Sequence, residues 1–168
     1  LDTLDPWNRT DVVDSFESLG GFDRDAAVEL LHRLRVGHAA GNAAAFAKLR
    51  ARLDDRKLAV WNVHHALIRS AEAMAGTRAS LRQSDSENAY LKLSALYDAL
   101  GDAYLFSRGQ SIDRWKWRLP RLRALGKSPF LEHYRDVRLM RHGDHETLAE
   151  FVERQLEAAR LLSEQLRS

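Results

Sequence analysis

Apolar residues recur along this chain at spacings of three and four, the period of a helix with one buried stripe. Ala27, Leu30, Leu31 and Leu34 form the first such stripe, on a helix that Asp23 can cap and that Gly37 and Gly41 stop after about Arg35. Asn42 then caps a short helix that turns Phe46, Leu49 and Leu53 inward. Asp54 or Asp55 opens the longest helix, to about Ala75 or on to Leu81. Its core stripe reads Val60, Val63, Leu67, Ala71 and Met74, widened by Trp61, His64 and Ile68, and Gly76 marks a place to fray or kink. Ser84-Asp85-Ser86-Glu87 has the form of a capping box. The helix it starts runs to about Ser107, with Leu93, Leu96, Tyr97, Leu100, Ala103 and Tyr104 on one face and Gly109 at its end. Pro120 breaks or kinks whatever helix begins at Asp113. Pro129 opens another helix that ends near Gly143, and Asp144 caps the last one, which buries Leu148, Phe151, Val152, Leu156, Leu162 and Leu166.

No strand-like alternation persists anywhere, so the expected fold is all-α: an antiparallel up-and-down bundle of about five to seven helices. Residues 1–22 read as an irregular lead-in closing at Gly20-Gly21, and residues 23–168 as one helical-bundle domain. The expected core draws on Val60, Leu67, Leu93, Leu96, Leu100, Phe151 and Leu156.

Composition narrows the function classes. Only three prolines occur in 168 residues, and none lies between Trp7 and Leu119, which leaves room for long helices. The absence of cysteine excludes disulfide and thiolate chemistry and favours an intracellular, cytoplasmic setting. No apolar run approaches the roughly 20 residues that span a bilayer, and the start has no charged-then-apolar leader, so no membrane partner is expected. The chain begins with Leu1 rather than Met, which suits a trimmed start or part of something longer. Net charge is only +2, but Arg108, Arg114, Lys116, Arg118, Arg121, Arg123 and Lys127 face a single acid, Asp113, within one stretch. Such a strip attracts phosphate or forms a solvated, salt-bridged face.

Several positions could carry chemistry. Asn62, His65, Arg69 and Glu72 share a helix face, and Asn88, Lys92 and Asp102 have helical spacing on the next helix. Together they can make a hydrogen-bonding wall for a polyhydroxylated or charged ligand, or the solvent face of an amphipathic helix. Trp115-Lys116-Trp117-Arg118 can clamp a ring beside a bound anion. Its two indoles point about 200° apart in a helix, so one is expected in the core and one beside the basic strip. Lys116 could instead neutralise Asp98 or Asp102. The substrate-binding candidates are therefore Asn62, His65, Arg69, Lys92, Trp115, Lys116, Trp117 and Arg118. The seven histidines lack metal-ligand spacing, so no metal and no cofactor is expected in this chain.

Tyr90 to Leu122 resembles the helical C-terminal domain that follows the polymerase-β-type nucleotidyltransferase domain in many bacterial proteins. The residues that carry the likeness are Leu93-Ser-Ala-Leu-Tyr-Asp-Ala-Leu100, then Ser107-Arg-Gly-Gln-Ser, then Lys116-Trp-Arg-Leu-Pro-Arg-Leu122. The helix from Arg56 to Met74 and the closing helix from Gly143-Asp144 to Leu166 sit in the matching order. The resemblance implies a substrate-binding or accessory domain working beside a catalytic nucleotidyltransferase domain or subunit, on a small polar or phosphorylated ligand. The catalytic signature itself, Gly-Ser followed by paired carboxylates, is missing: Gly-Ser does not occur, and Asp23-Arg-Asp25 starts a helix. Arg135 and His142, seven residues apart, loosely resemble the Arg…His pair of HEPN-type helical ribonucleases, which implies metal-independent RNA cleavage by a homodimer. A purely structural interaction module is the third reading.

Overall fold

The computed structural model describes residues 32–39, 41–52, 54–112, 115–141, 143 and 145–167. These form a helix bundle, and no strand occurs among the described residues. Residues 32–36 are helical, followed by α1 (Ala43–Arg50), α2 (Asp55–Arg82), α3 (Ser86–Ser107), a 3₁₀ turn (Trp115–Trp117), α4 (Arg118–Ala124), α5 (Pro129–Arg138) and α6 (Leu148–Arg167). Expectations for residues 1–31, including the lead-in, the Asp23 cap and the Leu30–Leu31 stripe, lie outside the described residues, as do Leu53, Asp113, His142 and Asp144.

The helix starts follow from short polar side chains that satisfy otherwise unpaired backbone amides. Asn42 accepts from the amide of Ala45, Asp54 from those of Arg56 and Lys57, and Ser128 from that of Leu131, with Pro129 at the first helical position. α6, whose start the sequence reading gave to Asp144, has a capping box of Thr147 and Glu150 that the reading did not name. The Glu150 carboxylate accepts from the Thr147 amide at 2.8 Å, and the Glu150 amide donates back to the Thr147 hydroxyl at 3.3 Å.

Three helices stop in the same way. Ser84 (φ 58°), Gly109 (φ 69°) and Met140 (φ 47°) take left-handed backbone, and the next residue's amide reaches back to the carbonyl of Ser80, Leu105 or Asp136. This corrects two expectations. Ser84 terminates α2, so it cannot cap α3; Asp85 does so by accepting from the Asn88 amide. α5 ends at Arg138, well short of Gly143. Pro120 breaks nothing: it is the third residue of α4, where no intrahelical partner for its amide is needed. α2 runs unbroken through Gly76.

α3 is the hub. Leu93, Leu96, Leu100, Ala103 and Leu105 are fully buried, and α2, α5 and α6 all pack on it. Gly76 and Ser80 near the end of α2 meet Lys92 near the start of α3, and Arg69 further back meets Asp102 further on. Phe130 stacks on Tyr104 at 4.9 Å between ring centres, and the Tyr90 hydroxyl donates to the Val137 carbonyl at 2.7 Å, so α5 lies along α3. Gln155 of α6 is fully buried: its side-chain oxygen lies 3.0 Å from the Tyr97 hydroxyl and 3.1 Å from His133 Nδ1. Through its oxygen that amide joins α3, α5 and α6, while its buried NH2 nitrogen has no hydrogen-bond partner among the described residues.

The core contains Leu67, Leu93, Leu96, Leu100, Phe151 and Leu156 as expected, but not Val60, which is 53% exposed. α2 instead buries Leu58, Trp61, Asn62, His65 and Ala66, a face rotated from the expected stripe, and Ala71 is exposed. Replacing Leu96 with Ala is expected to cost about 2–5 kcal/mol in urea unfolding, as for buried leucines generally; a cost near zero would contradict this packing.

Candidate functional site

Asp98 and Asp102 stand one turn apart on α3, in line with Ser94 a further turn back. Arg118, at the start of α4, reaches both. Its Nε donates to Asp102 Oδ1 at 2.6 Å, its Nη2 to Asp102 Oδ2 at 3.0 Å, and its Nη1 lies 2.9 Å from Asp98 Oδ1. The Tyr134 hydroxyl donates to the same Asp98 oxygen at 3.1 Å, and Arg138 bridges Ser94 at 2.9 Å and the second Asp98 oxygen at 3.4 Å. Arg69 of α2 closes the far side, 3.6 Å from Asp102 Oδ2. One cluster therefore ties α2, α3, α4 and α5 together.

Burial raises the Asp102 carboxyl above the usual carboxylate range, against the pull of Arg118 and Arg69. Desolvation alone would lower the Arg118 guanidinium, but its bonds to Asp102 and the charge of Asp98 hold it firmly protonated. Burial, then Asp98, push the Tyr134 hydroxyl up to about 12.

The cluster borders a groove of about 390 Å³ between α2 and α3, lined by Arg69, Glu72, Ala73, Gly76, Lys92, Ala95 and Ala99. Its floor is made of small residues, and its charges come from Arg69, Glu72 and Lys92. The Lys92 stem crosses Gly76, where an added Cβ would lie 3.1 Å from Lys92 Cδ, and its ammonium donates to Ser80 at 2.9 Å. Two of the eight substrate-binding candidates, Arg69 and Lys92, thus share one groove.

The other candidates are dispersed. Asn62 and His65 are buried within α2, where the His65 ring stacks on Trp61 at 5.7 Å. Arg118 is buried, with its guanidinium committed to Asp98 and Asp102; these are the carboxylates the sequence reading had offered to Lys116. Lys116 is exposed and lies 5.3 Å from the centre of the Trp117 ring, itself 48% exposed. Trp115 belongs to the 3₁₀ turn, and its side chain lies outside the described residues. Arg135 is partly buried on α5, and because that helix ends at Arg138 it does not carry a face on to position 142.

Sequence reasoning missed the linking role of Asp98, Gly101, Tyr134 and Arg138. The available signal was a pair of aspartates at helical spacing around a glycine on a core-facing helix.

Among the described residues, no helix is long and apolar enough to cross a membrane, and no group of three His, Asp or Glu side chains is arranged to hold a metal ion. Known family models, curated proteins and solved structures yield no match to this chain.

The raised Tyr134 pKa has a pH consequence. An unfolded tyrosine loses its proton near pH 10, whereas the folded one keeps it to about 12. Between these values the unfolded state binds fewer protons, so stability falls as pH rises. The stability gap between the wild type and Tyr134→Phe should shrink by on the order of 1–2 kcal/mol between about pH 9 and pH 11.5 in urea titrations. A gap independent of pH would contradict the buried, Asp98-bonded phenol.

Proposed function

We propose that this chain is the helical substrate-binding or accessory domain of a nucleotidyltransferase-like protein of bacterial, cytoplasmic type. The Arg69–Lys92 groove receives the polar part of the substrate. The observation that carries this reading is the convergence of Arg69, Glu72 and Lys92 over a small-residue floor, which leaves room beside two cations and a carboxylate. A guanidinium and an ammonium suit phosphate or carboxylate oxygens, and a carboxylate accepts from hydroxyl or amino groups. Arg69 is oriented by Asp102, itself gripped by Arg118, so the groove rests on a fixed charge. Nucleotidyl transfer needs metal-binding paired carboxylates, which a catalytic domain or subunit would supply. The part of this chain is to hold and orient the acceptor or the nucleotide.

Lys92→Met keeps the stem over Gly76 but removes the charge and the ammonium's hydrogen bond to Ser80, so melting is followed beside binding. Titration calorimetry should show binding of adenosine triphosphate, whose phosphates complement Arg69 and Lys92. Lys92→Met should weaken it about tenfold, or roughly 1.4 kcal/mol, while the lost Ser80 bond lowers the melting temperature by no more than about 2–4 °C. Failure of adenosine triphosphate to bind, or a variant that melts earlier yet binds normally, would overturn the reading.

A further inference from the structure

We infer that a second site lies at the opposite end of α2, and that it takes a small organic anion whose charge is carried on an apolar body. A cleft of about 650 Å³ opens between the start of α2, the end of α3 and the end of α6. That volume is typical of small-molecule sites. It shares no residue with the Arg69–Lys92 groove.

The apolar wall comes from Val60, Val63, Leu67, Phe106 and Leu166. Val60, Val63 and Leu67 have the spacing of a core stripe, yet Val60 is 53% exposed and Val63 only partly buried. The bundle therefore turns part of an interior-type stripe toward this cleft. An apolar ligand body removes that surface from water.

The rim fixes the sign of the ligand. Arg56 and Arg167 border the cleft, and the one acid among the described residues that line it, Asp55, already meets Arg35 at 3.3 Å. The charge that would complement this rim is negative. An anion can face Arg56 and Arg167 while its hydrocarbon part lies along Val60 and Phe106. A further cavity of about 460 Å³ shares Ser107 and Leu166 with the cleft and carries Arg108, 5.4 Å from the centre of the Tyr104 ring. A ligand longer than one ring system would thus meet another cation and another aromatic face.

A matched pair of probes tests this on the full chain by equilibrium dialysis. The anion 8-anilinonaphthalene-1-sulfonate should bind at one site per chain. N-phenyl-1-naphthylamine, which has the same rings without the sulfonate, should bind more weakly. Arg56→Gln with Arg167→Gln should weaken the anion about tenfold and change the neutral probe by less than about twofold. Val60→Trp, at an exposed position, fills the cleft and should abolish binding of both, with helicity unchanged by circular dichroism. Lys92→Met should leave both probes unaffected, so failure here is distinguishable from failure of the groove reading. Equal losses of both probes in the arginine variant, or full binding to Val60→Trp, would overturn the inference.

Discussion

The bundle depends on one side chain crossing one glycine. Arg118 reaches Asp98 and Asp102 by passing directly over Gly101, where an added Cβ would stand 2.8 Å from Arg118 Cδ and 3.4 Å from Tyr134 Cε2. A glycine in the middle of a helix is intrinsically costly, by about 1 kcal/mol against alanine. Here it admits a bidentate, largely buried ion pair that a methyl group would displace. Such pairs add little net stability over a well-packed apolar core, but they are unforgiving when one partner is lost, because the other charge remains buried. The cluster accordingly acts as a specificity device: it fixes where α4 starts and how α5 lies on α3.

The same cluster gives the surface its character. Asp102 faces Arg118 on one side and Arg69 on the other, so the guanidinium at the groove edge is held by a group anchored in the interior. The Gln155 amide plays a comparable part between Tyr97 and His133. Polar groups in this interior therefore join three and four helices at a time: Gln155 links α3, α5 and α6, and the Arg118 cluster links α2, α3, α4 and α5.

Much of the helix order could be read from the sequence, because it is written in local chemistry. Asn42 and Asp54 cap where expected, Pro129 opens α5, and Gly109 closes α3. The misreadings have one physical origin, a choice between competing local options. Ser84 is a good cap residue, yet it takes left-handed backbone to close α2, which leaves capping to Asp85. Met140 adopts that backbone without being glycine, so nothing in its type announced the end of α5. On α2, Val60 and Trp61 both fit an apolar stripe, and the structure buries the indole and exposes the valine. The end cleft was hidden for the same reason, since its wall reads as core. The partners of Asp98 and Asp102 in the Arg118 cluster lie 16 to 40 residues away, beyond the reach of periodicity, although the Asp98–Asp102 spacing was visible.

The most direct test of this account is a double-mutant cycle of Gly101→Ala with Arg118→Ala, measured by urea unfolding. In the wild type, the alanine at 101 should cost about 1–3 kcal/mol, because the Arg118 stem cannot yield while its head is held. With Arg118 truncated, the same change should be neutral or stabilising by up to about 1 kcal/mol through helix propensity. If Gly101→Ala stabilises the wild type, or costs the same in both backgrounds, Arg118 does not cross that glycine as described and the central constraint is wrong.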